Sequence, residues 1–432
     1  MFQKKIALFI FFSALFFGQA DANDFRASVI KVEITPDNAQ MLLGYQARKS
    51  TGVADKLYHR ILLLDDGKTR FILASSDICL ISPSEYDKVA SRLKAAFKID
   101  PKNFWWTATH THSAPEFGPA GLPGVFMGER YEHKYDEAYA ALVGKQLIDG
   151  IEKAIQALAP AQLGIGWGFS QANINRRGRY IDGKTVLGMN PDGPVDRKIG
   201  ILKLMKQDGG LLATVANYAI HGTVLGSGNL LISGDVQGVV AEYVEEQTGA
   251  PMLFINGAAG NIAPIYSGDP SPQMHLGEFK LMLGNKILEA SNRVNAYEKE
   301  VRLQTRSIIV ESPRKQGLGW PSDMGRYTRV NKAGVNLVRI PVSFLKINEE
   351  TAIWGAPLEL FCEVSNKVRD NSPFANTLYF GYCNGWLGYM PAEAEMKYGG
   401  YEVDMVCAFT ASGPADLYEA VISYLQGELR NP

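Results

Sequence analysis

Apolar and polar positions follow two rhythms along this chain: short runs with a period near two, and longer runs with a period near 3.6. ASVIKVEI (27–34), RILLLDD (60–66) and RFILASS (70–76) are rich in β-branched and apolar residues and bounded by turn formers, so they are predicted strands. SPSEYDKVASRLKAAF (82–97) reads as a helix, with Ser82 as cap, Pro83 at the first helical position and Glu85 completing a capping box. The strand NFWWTAT (103–109) follows. A longer helix is then predicted from Tyr131 to Leu158, because Tyr135, Tyr139, Leu142, Leu147, Ile151, Ile155 and Leu158 make one apolar face.

The mixture continues without an internal repeat. Strands are predicted at 200–205, 211–220, 251–257, 351–357 and 376–382, and helices at 235–249, after His275, and at 414–429. Such alternation predicts an α/β fold, with mixed β-sheets covered by helices in an α-β-β-α-like sandwich. The irregular stretch 313–336 is too long for a simple connector and reads as a lid or binding loop. Nothing resembles a flexible linker, so residues 23–432 are expected to form a single catalytic unit.

Residues 1–22 stand apart. Lys4 and Lys5 precede the apolar run Ile6 to Phe17, and Ala20-Asp21-Ala22 is an A-x-A cleavage site, so a signal peptide and an exported protein are expected. The mature chain holds no second long apolar segment, and hence no predicted transmembrane segment. With 44 Lys and Arg against 45 Asp and Glu and no basic tract, nothing suggests a nucleic-acid partner. Cys79, Cys362, Cys383 and Cys407 lack C-x-x-C spacing, which disfavours a metal site made of cysteines alone. They read as structural, and their pairing stays open, as does the oligomeric state.

Candidate chemistry clusters at strand ends. Only six histidines occur, and two of them, His110 and His112, stand in TATHTHSAPE just after a strand. Residues two apart on a strand share a face, so the two rings diverge only if the strand ends there, as Ser-Ala-Pro suggests. They are metal ligands or ordinary hydrogen-bonding residues. His221 follows another strand and precedes a Gly-rich loop, and Asp235 opens a helix as a plausible N-cap. Glu359 lies just after TAIWGAP, as a ligand or as an acidic residue in a helix's first turn.

The ordered set THTHS, ANINR (172–176), IHG followed by SGD, GNIAP ending at Pro264, Pro357 to Glu359, and NGWLGYMPAEAEMKYGGYE (384–402) resembles the neutral/alkaline non-lysosomal ceramidases, in their zinc-dependent N-terminal catalytic domain. The resemblance implies one catalytic Zn2+ with ligands at His110, His221, Glu359 and Tyr389. It also implies catalytic roles for His112 beside the metal, Arg176 at the developing oxyanion, and Tyr401. Two imidazoles and a carboxylate suit a site that activates water for amide hydrolysis.

Departures from the family pattern shape the expected substrate. Ala114, Glu116 and Phe117 replace glycines of the family's substrate loop, and Gly257-Ala258-Ala259-Gly260-Asn261 lacks its serine. The family's C-terminal immunoglobulin-like domain is expected to be absent. The expectation is a secreted zinc-dependent amidohydrolase acting through a zinc-activated water on a linear N-acyl amide, as a small-molecule or lipid substrate. Glu116 inclines it toward a polar N-acyl compound. The alternatives are an esterase or lactonase on the same scaffold, or a secreted binding protein without catalysis.

Overall fold

The computed structural model describes residues 25–427, apart from 120, 132, 268–271 and 299; the predicted signal peptide lies outside them. Eight strands form one mixed sheet: β1 (Arg26–Glu33), β2 (Tyr58–Asp65), β3 (Arg70–Ser76), β4 (Phe104–Ala108), β5 (Ala159–Phe169), β6 (Lys198–Lys206), β7 (Leu211–Tyr218) and β8 (Met252–Asn256). Their spatial order is β8-β7-β6-β5-β1-β2-β3-β4. Neighbours are antiparallel except at the two ends, where β7 runs parallel to β8 and β3 parallel to β4. A second sheet holds β9 (Gln304–Pro313), β10 (Asn336–Lys346), β11 (Thr351–Gly355) and β12 (Asn376–Phe380), with β11 parallel to β12.

The period-two pattern of β2 shows how the layers assemble. Leu62 and Leu64 point toward the second sheet, where they meet the cluster containing Leu345, Ile353, Leu378 and Phe380. Ile61 and Leu63 point the other way, into the cluster that contains Val143, Leu147 and Ile151 of α2 (Glu137–Gln156). Both faces are covered, which is why the strand reads as an almost continuous apolar run. Farther along the sheet, α3 (Asp235–Thr248) packs Val236, Val240 and Val244 on Ile199, Ile201 and Phe254. The outer face of the second sheet is covered by α4 (Gly413–Gln426), whose Leu417, Val421 and Leu425 join Val338, Ile340 and Val342. Each buried Leu, Ile or Val stabilises the stack by about 1.5–3 kcal/mol. The α-β-β-α arrangement follows.

Local expectations differ in three places. The helix α1 (Pro83–Phe97) forms, but Ser82 makes no capping bond, because its Oγ pairs with Ser84 Oγ at 2.9 Å and Glu85 turns to Lys88. The helix predicted from Tyr131 begins at Glu137, because Asp136 accepts hydrogen bonds from the Ala138 and Tyr139 amides and so fixes the start there. The stretch 313–336 contains a short 3-10 turn, Ser322–Tyr327, whose Tyr327 OH reaches Pro83 O and whose Arg326 pairs with Asp87. It buttresses α1. All four cysteines are buried and free. No helix among the described residues is long and apolar enough to cross a membrane.

The large sheet is curled. Strands β4 and β8 lie at opposite ends of the strand order, yet Asn256 Nδ2 donates to Thr109 O at 3.1 Å, and Ser75 Oγ donates to Phe254 O at 2.6 Å. Side chains thus bridge the two edges, bringing the loops after β4, β7 and β8 together beside those after β11 and β12. Loops at strand ends are where such folds place chemistry.

Candidate metal centre

Strand β4 ends at Ala108, and His110 takes the left-handed backbone conformation, φ 70°. This costs a non-glycine residue about 1–3 kcal/mol and persists only where the surroundings enforce it. Here the His110 amide donates to Ile78 O, and the His112 amide donates to Gly222 O. The kink makes the two rings converge, with His110 Nε2 and His112 Nε2 3.1 Å apart. Gly44 (φ 108°) gives His112 its room, since a Cβ there would lie 2.5 Å from the imidazole.

His221, three residues beyond β7, brings its Nε2 to 3.1 Å from His110 Nε2. The Gly-rich loop after it is held by Asp235, whose carboxylate accepts the amides of Val224 and Leu225. Asp235 therefore organises a loop, and Gly234 occupies the helix cap. Glu359 sits at the end of the turn after β11, with Oε2 3.3 Å from His110 Nε2 and 3.2 Å from His221 Nε2. Its other oxygen accepts from Trp386 Nε1 at 2.9 Å. Tyr389 OH lies 3.4 Å from His221 Nε2 and accepts from Arg176 Nη2 at 3.0 Å. Tyr401 stacks edge-on against Tyr389, with ring centroids 5.9 Å apart.

The hydrogen bonds on the far side of each ring decide what this cluster can hold. His110 Nδ1 faces Cys79 O at 2.9 Å, while His221 Nδ1 faces Ala259 O at 2.8 Å and Ile262 O at 3.0 Å. A carbonyl only accepts, so both Nδ1 atoms carry the proton, and Nε2 is the atom of each ring left to offer a lone pair. Burial, with Arg176 and His110 nearby, pushes His221 down to about 3, so that ring is neutral at pH 7. Burial alone would raise Glu359, but the facing His110 and His221 rings hold it well below the usual carboxylate range. Three donor atoms, two ring nitrogens and a carboxylate oxygen, therefore meet within 3.3 Å. Such a group is stable around a cation, and an N,N,O set fits Zn2+.

A cavity opens on this group, lined by His110, His112, Glu359, Tyr389 and Tyr401 and by apolar residues including Leu80, Phe126, Met127 and Trp386. A neighbouring cavity shares Leu43, Leu80, Pro123, Tyr131 and Trp386 and adds Phe117, Leu122 and Glu116. Glu116 offers no free charge there: its carboxylate is 5% exposed and bound by Tyr131 OH and His133 Nε2. That engagement removes the sequence-based reason for a polar substrate. The loop 257–261 acts through its backbone and Asn261, whose side chain bonds Glu363 and the Cys362 amide.

One residue escaped the sequence reading. Glu402, 1% exposed, accepts from Arg176 Nε at 2.9 Å and Arg177 Nη1 at 2.7 Å, and so aims Arg176 at Tyr389. Its neighbour Tyr401 drew attention through the motif, but an acid beside it reads as an ordinary surface charge. The RRGR run opposite was the available signal, since three arginines on one strand need partners. Glu402→Gln should keep the metal and lower kcat on the order of tenfold with little change in KM, the scale of a lost supporting partner. An unchanged kcat would remove Glu402 from this role.

A model of the family described as neutral/alkaline non-lysosomal ceramidase, N-terminal, matches residues 25–279. The chain is 26% identical over 259 residues to the neutral ceramidase of Pseudomonas aeruginosa, covering 57% of this chain and 38% of that protein. It is 25% identical over 258 residues to the neutral ceramidase of Mycobacterium tuberculosis, covering 54% and 39%. The matched segments thus span well under half of those relatives. Among solved structures, a ceramidase complexed with C2 superposes with a TM-score of 0.77 at 18% identity, over 95% of this chain and 76% of that one. The crystal structure of the Pseudomonas aeruginosa neutral ceramidase gives 0.76 at 19% identity, over 95% and 75%. The likeness in structure shows that the fold is shared.

Proposed function

Because this chain belongs to the neutral/alkaline non-lysosomal ceramidase family, we propose that it hydrolyses a linear N-acyl amide, ceramide-like or another N-acylated compound, with one bound Zn2+. The observation that carries the reading is the convergence of His110 Nε2, His221 Nε2 and Glu359 Oε2, with both Nδ1 protons tied to carbonyls. Those three residues would hold the ion, with Tyr389 as a fourth oxygen. When bound, Zn2+ supplies Lewis acidity toward a carbonyl oxygen and toward water at neutral pH.

The chain's own residues supply the rest. His112, held well below its ordinary pKa by burial and by the His110 and His221 rings, is neutral at pH 7 and can take a proton from water and pass it to the leaving amine. Arg176 is a fixed cation beside Tyr389, set to stabilise negative charge on the carbonyl oxygen. Tyr401 lines the cavity and would contact the substrate there. The apolar walls receive the acyl chain and keep water from the reacting carbonyl.

The apolar residues Leu80, Phe126, Met127 and Trp386, interrupted by Tyr45, Tyr389 and Tyr401, suit an acyl chain of modest length. Each methylene buried among them contributes about 0.8 kcal/mol, roughly a fourfold gain in kcat/KM, until the cleft is full. Measured across an acyl-length series of N-acyl sphingosines and N-acyl amino sugars, kcat/KM should rise over short chains and then level. A steep rise that continues to long chains would reject the modest cleft. No turnover of any amide or ester by zinc-loaded protein would leave a binding protein on this scaffold.

A further inference from the structure

The cavity wall carries a ligand group that the proposed hydrolysis does not use. Cys79 follows β3 in the loop whose carbonyl fixes His110, and its side chain lines the same cavity as His110 and His112. One donor atom each from Cys79, His110 and His112 lies within 4.8 Å of the other two, and all three side chains are buried. Cys79 Sγ lies against the His110 ring, 3.9 Å from the Nδ1 that is bonded to Cys79 O, and makes no disulfide, so Nε2 is the ring atom left to bind an ion. Zn2+ binds sulfur at about 2.3 Å and imidazole nitrogen at about 2.0–2.1 Å, and a larger cation reaches farther, so three donors at this spacing can close on one ion.

We propose that Cys79, His110 and His112 form a second metal position that takes a thiophilic cation such as Cd2+, in competition with the ion held by His110, His221 and Glu359. The two groups differ in donor chemistry. The set with Glu359 offers two nitrogens and an oxygen, whereas this one offers sulfur and two nitrogens, and softer cations prefer sulfur. They share His110, whose Nδ1 proton is engaged with Cys79 O, so a single Nε2 lone pair serves either ion. Occupancy of one position therefore weakens the other. Binding breaks the Cys79 Sγ–H bond, forms a sulfur–metal bond and releases the proton to solvent. It also engages His112, so a thiophilic ion would inhibit by taking a side chain the reaction needs.

The position goes beyond the hydrolytic reading, and its test separates the two. Metal-free full-length protein is titrated with Cd2+ while the ultraviolet thiolate-to-cadmium charge-transfer band is followed. The band should saturate at one equivalent, vanish in Cys79→Ser and survive in Glu359→Gln, which damages only the hydrolytic set. His112→Ala should weaken the apparent affinity at least on the order of tenfold to a hundredfold, the loss typical even of an outer partner. Adding Zn2+ should move the titration to higher Cd2+. Cadmium NMR of the unmutated protein, whose chemical shift reports sulfur ligation, gives the same answer if a variant fails to fold. A full band in Cys79→Ser, its loss in Glu359→Gln, or bound Cd2+ without sulfur ligation would overturn the proposal.

Discussion

His221→Ala should yield a folded protein that binds almost no Zn2+ and has no measurable hydrolytic activity. His221 is fully buried, and its Nε2 is one of the three donors of the His110, His221 and Glu359 set. Removing it leaves one imidazole and one carboxylate, too few to hold the ion against water. His110→Ala should behave in the same way. His112→Ala is the contrast: it should keep the metal and lose roughly a hundredfold to ten-thousandfold in kcat, the range of a general acid–base group. Metal analysis of the three purified variants decides the assignment. A stability readout sharpens it, because an ion that binds only the folded state at a thousand times its Kd stabilises by about 4 kcal/mol. Chelation should then lower the Tm of the wild type and leave that of His221→Ala unmoved. Full zinc occupancy in His110→Ala or His221→Ala, or its loss in His112→Ala alone, would show that the wrong residues have been chosen.

The candidate centre was legible through two signals: strand ends at His110, His221 and Glu359, which left ligand and ordinary readings open, and the ordered motifs of the family resemblance, which joined them. Its geometry was not legible. The left-handed turn at His110 depends on bonds to Ile78 and Cys79 from another strand's loop, and no local pattern announces it. The curl that brings β4 to β8 is likewise tertiary. Strand β5 escaped because APAQLGIGWGF carries Gly164, Gly166 and Gly168, which read as breakers. In the fold, a Cβ on Gly166 would lie 2.5 Å from Val294, so the small residues let the chain beyond the helix Asn285–Arg293 lie against the sheet. The pairing of Glu116 was hidden for a related reason. Its partners Tyr131 and His133 lie beyond the short helix Leu122–Met127, and only the fold turns them back onto the carboxylate.

Arg176→Ala should lower kcat roughly a hundredfold to a thousandfold while Zn2+ stays bound, because a fixed donor aimed at a developing oxyanion contributes a few kcal/mol. A surface arginine in a basic run would give no effect, but Arg176 is 9% exposed, and its guanidinium bridges Glu402 and Tyr389. Deleting a buried cation often destabilises a protein by stranding its partner. Here Glu402 keeps a second arginine, because Arg177 Nη1 also donates to it at 2.7 Å, so the carboxylate remains paired. The loss should therefore appear in catalysis more than in folding. It should also fall on kcat with KM little changed, since the charge Arg176 meets develops only in the transition state. Arg176→Lys tests the geometry: an ammonium retains charge but cannot reach Glu402 and Tyr389 together as the planar fork does, so it should recover only part of the rate. Steady-state kinetics with metal analysis on both variants settles the role. Wild-type kcat in Arg176→Ala with full zinc would reject it, and loss of zinc would move Arg176 from the oxyanion to the support of Tyr389.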